Sequence, residues 1–342
     1  GDLDLASLPA CLDDAEALWQ WALEHCMPLF GPYEDARSRA SSGLFHTRSS
    51  GLLNLHRVLP ARLVADVVEL DIPLASKEGF VRQVLGWREF VRHVHDATDG
   101  FRELPEGAPS RAQRPGDGGW GRWSGSAWAS GSGAEGFDGG ACPSALGAER
   151  LLPLAFWPGY PSGLACLDLV VEDVWREAWS HHITRLMVLS NIAALLDVSP
   201  RELTDWFWIA YLDAYDWVVE PNVLAMGTYA VGPLMTTKPY VSGAAYINRM
   251  SDYCSVCAFN PKKDCPITNL YWAYLDRHRQ AFANNPRMRL VLSSLGKRSS
   301  GQVKADHEVF EWVAFVLGKG ETLRPEARPD SEGFSSARGS DL

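Results

Sequence analysis

Residues 251–266 read SDYCSVCAFNPKKDCP, and they set Cys254, Cys257 and Cys265 in a stretch with loop chemistry. A close C-x-x-C pair grips one edge of a metal or cluster, and Cys265-Pro266 matches the Cys-Pro ending of iron–sulfur ligand runs. A four-cysteine zinc site normally brings a second C-x-x-C, which this chain lacks. A fourth ligand must come from afar. Cys166, in PSGLACLD at an expected helix start, is the best placed; Cys11 and Cys26 lie in an apolar helical pattern and Cys142 in a glycine-rich run. On spacing alone a cluster, a zinc ion and metal-free thiols all stay open. If the loop takes that distant ligand, the chain must fold back so that residue 166 meets residues 254–265.

Outward from this loop the chain is patterned as helix. Leu18, Trp21 and Ala22 recur at helical spacing within residues 12–27, as do Phe80, Val84, Trp87 and Val91 within 76–97. Further helices are expected over 166–197, 200–219 and 267–285. Ser199-Pro200 followed by Glu202 is a helix start, with Ser199 as N-cap. Alternating strand patterns are scarce, so the fold class is mainly α.

Residues 106–147 break this texture. Gly, Ser, Ala and Pro dominate, residues that lose much entropy on ordering and bury little. We read the run as a flexible insert carrying Trp120, Trp123 and Trp128. It divides one helical domain into a first part, 1–105, and a second, 148–305; residues 320–342 form a tail expected to be disordered.

The 342 residues are 46% hydrophobic and 22% charged, an ordinary globular composition. No apolar run approaches the roughly 18 residues of a membrane span, and the first residues lack a signal-peptide pattern, so the protein is expected to be intracellular. Seven cysteines are too sparse for a disulfide scaffold and odd in number. A net charge of -10 argues against bulk attraction to nucleic acid. Locally, however, Arg277, Arg279, Arg287, Arg289, Lys297, Arg298 and Lys304 follow one another with no intervening Asp or Glu, which suits either a phosphate backbone or a solvated basic surface.

Two more constellations carry chemistry. AWSHHITRLMVLSN (178–191) sets His181 beside His182 on an expected helix, about 100° apart, so that at most one faces a given site. TDWFWIAYLDAYDWVVEPN (204–222) gathers Trp206, Trp208, Tyr211, Tyr215 and Trp217 with Asp213 and Asp216. Such aromatics serve as core packing or as an electron-hopping path.

Together these segments resemble the iron–sulfur cryptochrome/photolyase-related proteins, the prokaryotic-type (6-4) photolyase branch of the photolyase superfamily. The resemblance is carried by PLFGPYEDA (28–36), LASKEGFVRQVLGWREFVR (74–92), HHITRLMVLSN (181–191), DAYDWVVEPNVLAMG (213–227), TKPYVSGAAYINRMSDYCSVC (237–257), NLYWAYLDRHR (269–279) and NNPRM (284–288). It covers roughly residues 15–290 outside the insert.

The resemblance implies a helical domain that holds FAD and a [4Fe-4S] cluster, with Cys166, Cys254, Cys257 and Cys265 as cluster ligands, although Cys257 and Cys265 stand closer together than is usual. Thr47 and Ser50 match hydroxyls that bind the FAD diphosphate, with Tyr33 just before; Ser49, Gly51 and Leu52 replace the expected Leu, Pro and Tyr, and Arg37 stands where Met is usual. Arg185, Asp213, Asp216 and Asn222 match positions near the isoalloxazine. His181 and His182 align with a histidine pair at the lesion, His182 being favoured as proton donor near its ordinary pKa. Tyr240 and Tyr246 match lesion-pocket aromatics, and Trp206 an electron-transfer member, followed by Phe207 where Tyr can occur.

The function so implied is light-driven repair of UV-damaged DNA, a lyase reaction on (6-4) lesions, with residues 277–304 as a candidate basic rim. A blue-light sensor of cryptochrome type and a non-catalytic structural or interaction subunit are the rivals. Nothing in the sequence resembles the α/β antenna domain of this family. No antenna chromophore is therefore expected in the chain, which acts as a monomer or with a partner chain that supplies an antenna.

Overall fold

The computed structural model describes residues 3–101 and 143–329. Among the described residues all regular elements are helical, and pairing outside helices is limited to isolated bridges: Arg37–Ser251, Ser38–Ser41 and Arg150–Val198. The mainly α class holds.

Leu12–Trp21, a π-helical turn at Ala22–Cys26 and Met27–Tyr33 run on as one rod. Its buried side carries Trp19, Ala22, Cys26, Met27 and Phe30. Leu74–Val81 packs against this rod at Gly31, whose N–H donates to Ser76 Oγ at 2.9 Å. A Cβ at position 31 would stand 2.6 Å from backbone atoms of Ala75 and Ser76, so only glycine permits the approach.

The larger core lies in the second part of the chain. Val188, Leu189, Ile192, Leu203 and Trp206 meet Leu270 and Ala273 of the Pro266–Arg277 helix and Val309 and Val313 of the Ser300–Gly318 helix. That last helix starts at a capping box between Ser299 and Gln302. It runs through residue 305, where the second part was expected to end.

Two long helices expected from the pattern are each interrupted. The run over 166–197 stops at Ala165–Glu177 because Ala178 adopts a left-handed conformation (φ 48°), and helix resumes at His182. The run over 200–219 begins as expected, with Ser199 Oγ accepting from Glu202 N. It ends at Ala210, where Tyr211 turns extended, and resumes at Asp216–Val219. The two interruptions are joined: the Leu212 N–H donates to the Ala178 carbonyl at 2.9 Å. Apolar periodicity continues through both breaks, so it does not register them.

Two expectations of disorder are corrected in part. Leu323 is buried and donates its N–H to Ser162 O at 2.9 Å, and Arg328 reaches Asn269 Oδ1, so the tail is packed as far as residue 329. At the end of the supposed insert Ser144 is buried and Ala145 N donates to Ala230 O. The rest of the insert, with Trp120, Trp123, Trp128 and Cys142, lies outside the described residues, as do residues 330–342.

Candidate functional site: a histidine-lined recess and a four-cysteine site

The joined interruptions bring His181 and His182 opposite Asp213. Arg185, one turn into the resumed helix, grips Asp213 with both terminal nitrogens at 2.9 Å and donates Nε to Ser180 O at 2.7 Å. Such a two-pronged pair is the strong form of ion pairing. Burial pulls the guanidinium pKa down, but Asp213 outweighs it and leaves Arg185 raised. Ser50 Oγ donates to Asp213 Oδ2 at 2.6 Å and Asn54 Nδ2 to the Asp213 carbonyl at 3.0 Å. The Arg185 side chain keeps 21% exposure and His182 is exposed, although desolvation is the largest influence on both. Side chains that touch solvent while protein surrounds them line a recess.

A third imidazole completes the histidine pair. His46 stacks on His181 at 4.5 Å with the planes 7° apart, and meets His182 edge-on at 5.0 Å. His46 Nε2 bonds the Glu34 carbonyl at 3.0 Å, whereas His181 Nδ1 is buried without a partner. The nitrogens of the three rings lie within 4.8 Å of one another. They do not make a metal site, because lone pairs lie in the ring plane and two parallel stacked rings cannot aim theirs at one ion. Desolvation, with Arg185 and the neighbouring imidazoles, pushes His182 down to about 3 and His46 to about 4, and holds His181 well below the usual range. This corrects the expectation of a histidine near its ordinary pKa. The local geometry differs as well: His181 is the extended N-cap and His182 the first helical residue.

The remaining predicted residues fall around this recess unevenly. Asn222 accepts from Trp87 Nε1 at 2.7 Å, and Asp216 opens the Asp216–Val219 helix. Thr47 is buried and shares a hydrogen bond with Ser49 at 2.7 Å, while Ser50 spends its proton on Asp213. Tyr33 is half exposed against Phe45. Tyr240 is exposed, and Tyr246 is half-buried with Arg37 over its ring at 5.3 Å.

Of the aromatics in 204–222, Trp206 and Tyr211 enter one contact series. Trp157 stacks on Trp175 at 5.4 Å; Trp175 meets Trp206 at 6.4 Å, and Trp206 meets Tyr211 at 6.0 Å. Arg185 lies 4.2 Å over Tyr211, so the series ends at the recess. Trp217 packs under Arg88 instead. Trp157 and Trp175, like His46, come from segments with no distinctive spacing and were not singled out from sequence.

The four predicted cysteines are gathered. Cys166 and Cys265 are buried, Cys254 and Cys257 half-buried. Burial is the largest influence lifting the Cys166 thiol well above its usual range, and the other three cysteines add to it; burial likewise pushes Cys265 up to about 12. Such thiols stay protonated near neutral pH unless a bound metal centre stabilises the thiolate, the proton then leaving to solvent. Among the described residues no three of these sulfurs lie within 4.8 Å of one another.

The basic run is largely spent within the fold. Arg277 bonds Asp197 at 2.7 Å, Arg298 bonds Asp306 at 2.8 Å, and Arg279 and Lys304 pair with Asp276 and Glu308. Arg287, Arg289 and Lys297 form no ion pair among the described residues. No helix there is long and apolar enough to cross a membrane.

Known proteins resemble this chain in sequence. The (6-4) photolyase of Agrobacterium fabrum (strain C58) is 30% identical over 298 residues, which are 84% of this chain and 51% of that protein. The chain is thus similar to that photolyase over most of its own length. It spans about half the length of that relative. An uncharacterized protein of Acanthamoeba polyphaga mimivirus is 39% identical over 66 residues, 19% of this chain and 54% of its own. A solved bacterial class III photolyase from Agrobacterium tumefaciens superposes with a TM-score of 0.46 and 14% identity, covering 90% of this chain and 56% of that one. No family model matches.

Proposed function

We propose that the chain is the flavin-holding helical portion of a photolyase that reverses (6-4) lesions in DNA with light. The observation that carries this reading is the convergence of His181, His182, Arg185 and Asp213 on one recess in a homologue of a (6-4) photolyase. FAD, when bound, supplies the light-driven electron. Arg185 and Asp213 present a fixed charge pair to its ring, with Ser50 holding Asp213 and Asn222 and Asp216 alongside, and Tyr33 and Thr47 serve its diphosphate end. Cys166, Cys254, Cys257 and Cys265 hold a [4Fe-4S] cluster, and Trp206 links the recess to Trp175 for electron return.

The histidines handle the proton. His182 is neutral near neutral pH because burial, His46 and Arg185 all oppose a positive charge. Damaged DNA that has accepted an electron brings negative charge into the recess and lifts that opposition, so the exposed imidazole takes up a solvent proton and passes it on only at that moment. Proton delivery is thereby timed to electron arrival. Tyr240 and Tyr246 flank the flipped-out nucleotide.

The test is spectroscopic and catalytic. Purified protein incubated with FAD should show flavin bands, photoreduce, and convert a (6-4)-containing oligonucleotide under blue light but not in the dark. A chain that takes up no flavin overturns the proposal, and photoreduction without repair of any lesion leaves the blue-light sensor in its place.

A further inference from the structure

Arg37 is 3% exposed, and all three guanidinium nitrogens are buried without a hydrogen-bond partner. The ring of Tyr246 lies 5.3 Å from the guanidinium carbon. An ion that has lost its water and gained no counter-charge is among the least favourable arrangements a core can hold, so the site is shaped for an anion that completes it.

The backbone places this unpaired guanidinium next to the cysteines. Arg37 N donates to Met250 O at 3.0 Å, Arg37 bridges Ser251, and Ser38 and Arg39 bond the Asp252 carboxylate. Residues 37–39 are thus laced to residues 250–252, immediately before Cys254. Burial pulls the Arg37 guanidinium down, and the groups that pull it back up are Tyr246, Tyr253, Cys166 and Asp35; among the described residues no carboxylate forms an ion pair with it. Arg37 in turn acts on Cys254 and on His181.

We infer that Arg37 is the charge partner of the cluster held by Cys166, Cys254, Cys257 and Cys265 and sets its reduction potential. This rests on the cluster reading above. A cluster ligated by four thiolates carries net negative charge, and one more electron makes it more negative. A desolvated cation within reach stabilises the reduced form more than the oxidised form and raises the potential. The same side chain lies over Tyr246, on the wall assigned to the lesion, so cluster charge and pocket share one residue.

Redox titration of the anaerobically purified protein, followed by EPR and by visible absorption, tests the assignment. Arg37→Met should keep iron and sulfide at parental stoichiometry while the reduced-to-oxidised ratio at a fixed potential falls at least tenfold, about 59 mV for one electron. Arg37→Lys should restore most of that shift, and it carries the measurement if the Met variant does not fold. Arg39→Met, which removes an exposed charge from the same segment, should leave the potential in place. A parental potential in an iron-replete Arg37 variant refutes the assignment, as does an unchanged potential accompanied by weaker binding of an undamaged oligonucleotide, which would make the missing anion a DNA phosphate. Absence of iron from the unsubstituted protein brings down the cluster reading itself, before any variant is compared.

Discussion

At the scale of single residues, the recess is a set of neutral bases held beside one fixed cation. His182→Ala should leave flavin photoreduction and DNA affinity nearly intact while illuminated (6-4) repair falls by about 10²-fold or more, the scale for losing a positioned acid. Equal repair by parent and variant in a light-dose assay would remove His182 from the mechanism. The pH dependence of stability has a definite sign. His46 has a folded pKa near 4, below its unfolded value near 6.5, so the unfolded chain binds more protons in between and stability falls with acidification through that window. The loss attributable to His46 is about 3 kcal/mol, and His46→Gln should flatten the curve of urea midpoint against pH between 6.5 and 4. Asp213→Asn leaves Arg185 without its counter-charge and should cost about 3 kcal/mol, near the lower end for a broken buried pair because Arg185 keeps some contact with solvent. Reduced FAD retention should accompany it.

At the scale of elements, close approach and interruption matter more than helix length. Gly31→Ala puts a methyl against the backbone of the neighbouring helix and should destabilise by about 2 kcal/mol. Gly86, in the helical turn Arg82–Trp87, has open space around its Cβ position, so Gly86→Ala should be neutral or stabilise by up to about 1 kcal/mol. Matched urea melts of the two variants separate packing from propensity; equal midpoints would contradict the close crossing. The helices themselves were legible because their cores are periodic, as at Leu18 and Ala22 or Phe80 and Val84. Their interruptions at Ala178 and Tyr211 were not, because each is stabilised by a backbone contact made across the fold and neither residue is a helix breaker by type.

At the scale of the whole molecule, the proposed cluster would tie residue 166 to residues 254–265. Cys166→Ser should lower iron content and folded yield jointly, since metal binding at a site absent from the unfolded chain contributes directly to folding. Normal iron content in that variant would free Cys166 from the site. Cys166 was legible as a partner of residues 254–265 because few other cysteines were available and because the family resemblance named it. The Arg185–Asp213 pair was legible by the same resemblance. His46, Trp157 and Trp175 were not, since an isolated histidine or tryptophan has no signature until folding brings it to its neighbours. Arg37 was visible as an unusual residue, but its burial without a partner is a property of three dimensions alone.

The hydrogen bond from Leu212 to Ala178 joins the two halves of the recess through main-chain atoms on both sides. Any side chain compatible with the local turns can occupy those positions while the crossing survives. A scan by alanine substitution would therefore record silence at the joint on which the surrounding sensitive positions depend. Replacing the Leu212 amide with an ester, which deletes the donor and spares every side chain, is the change that would expose it.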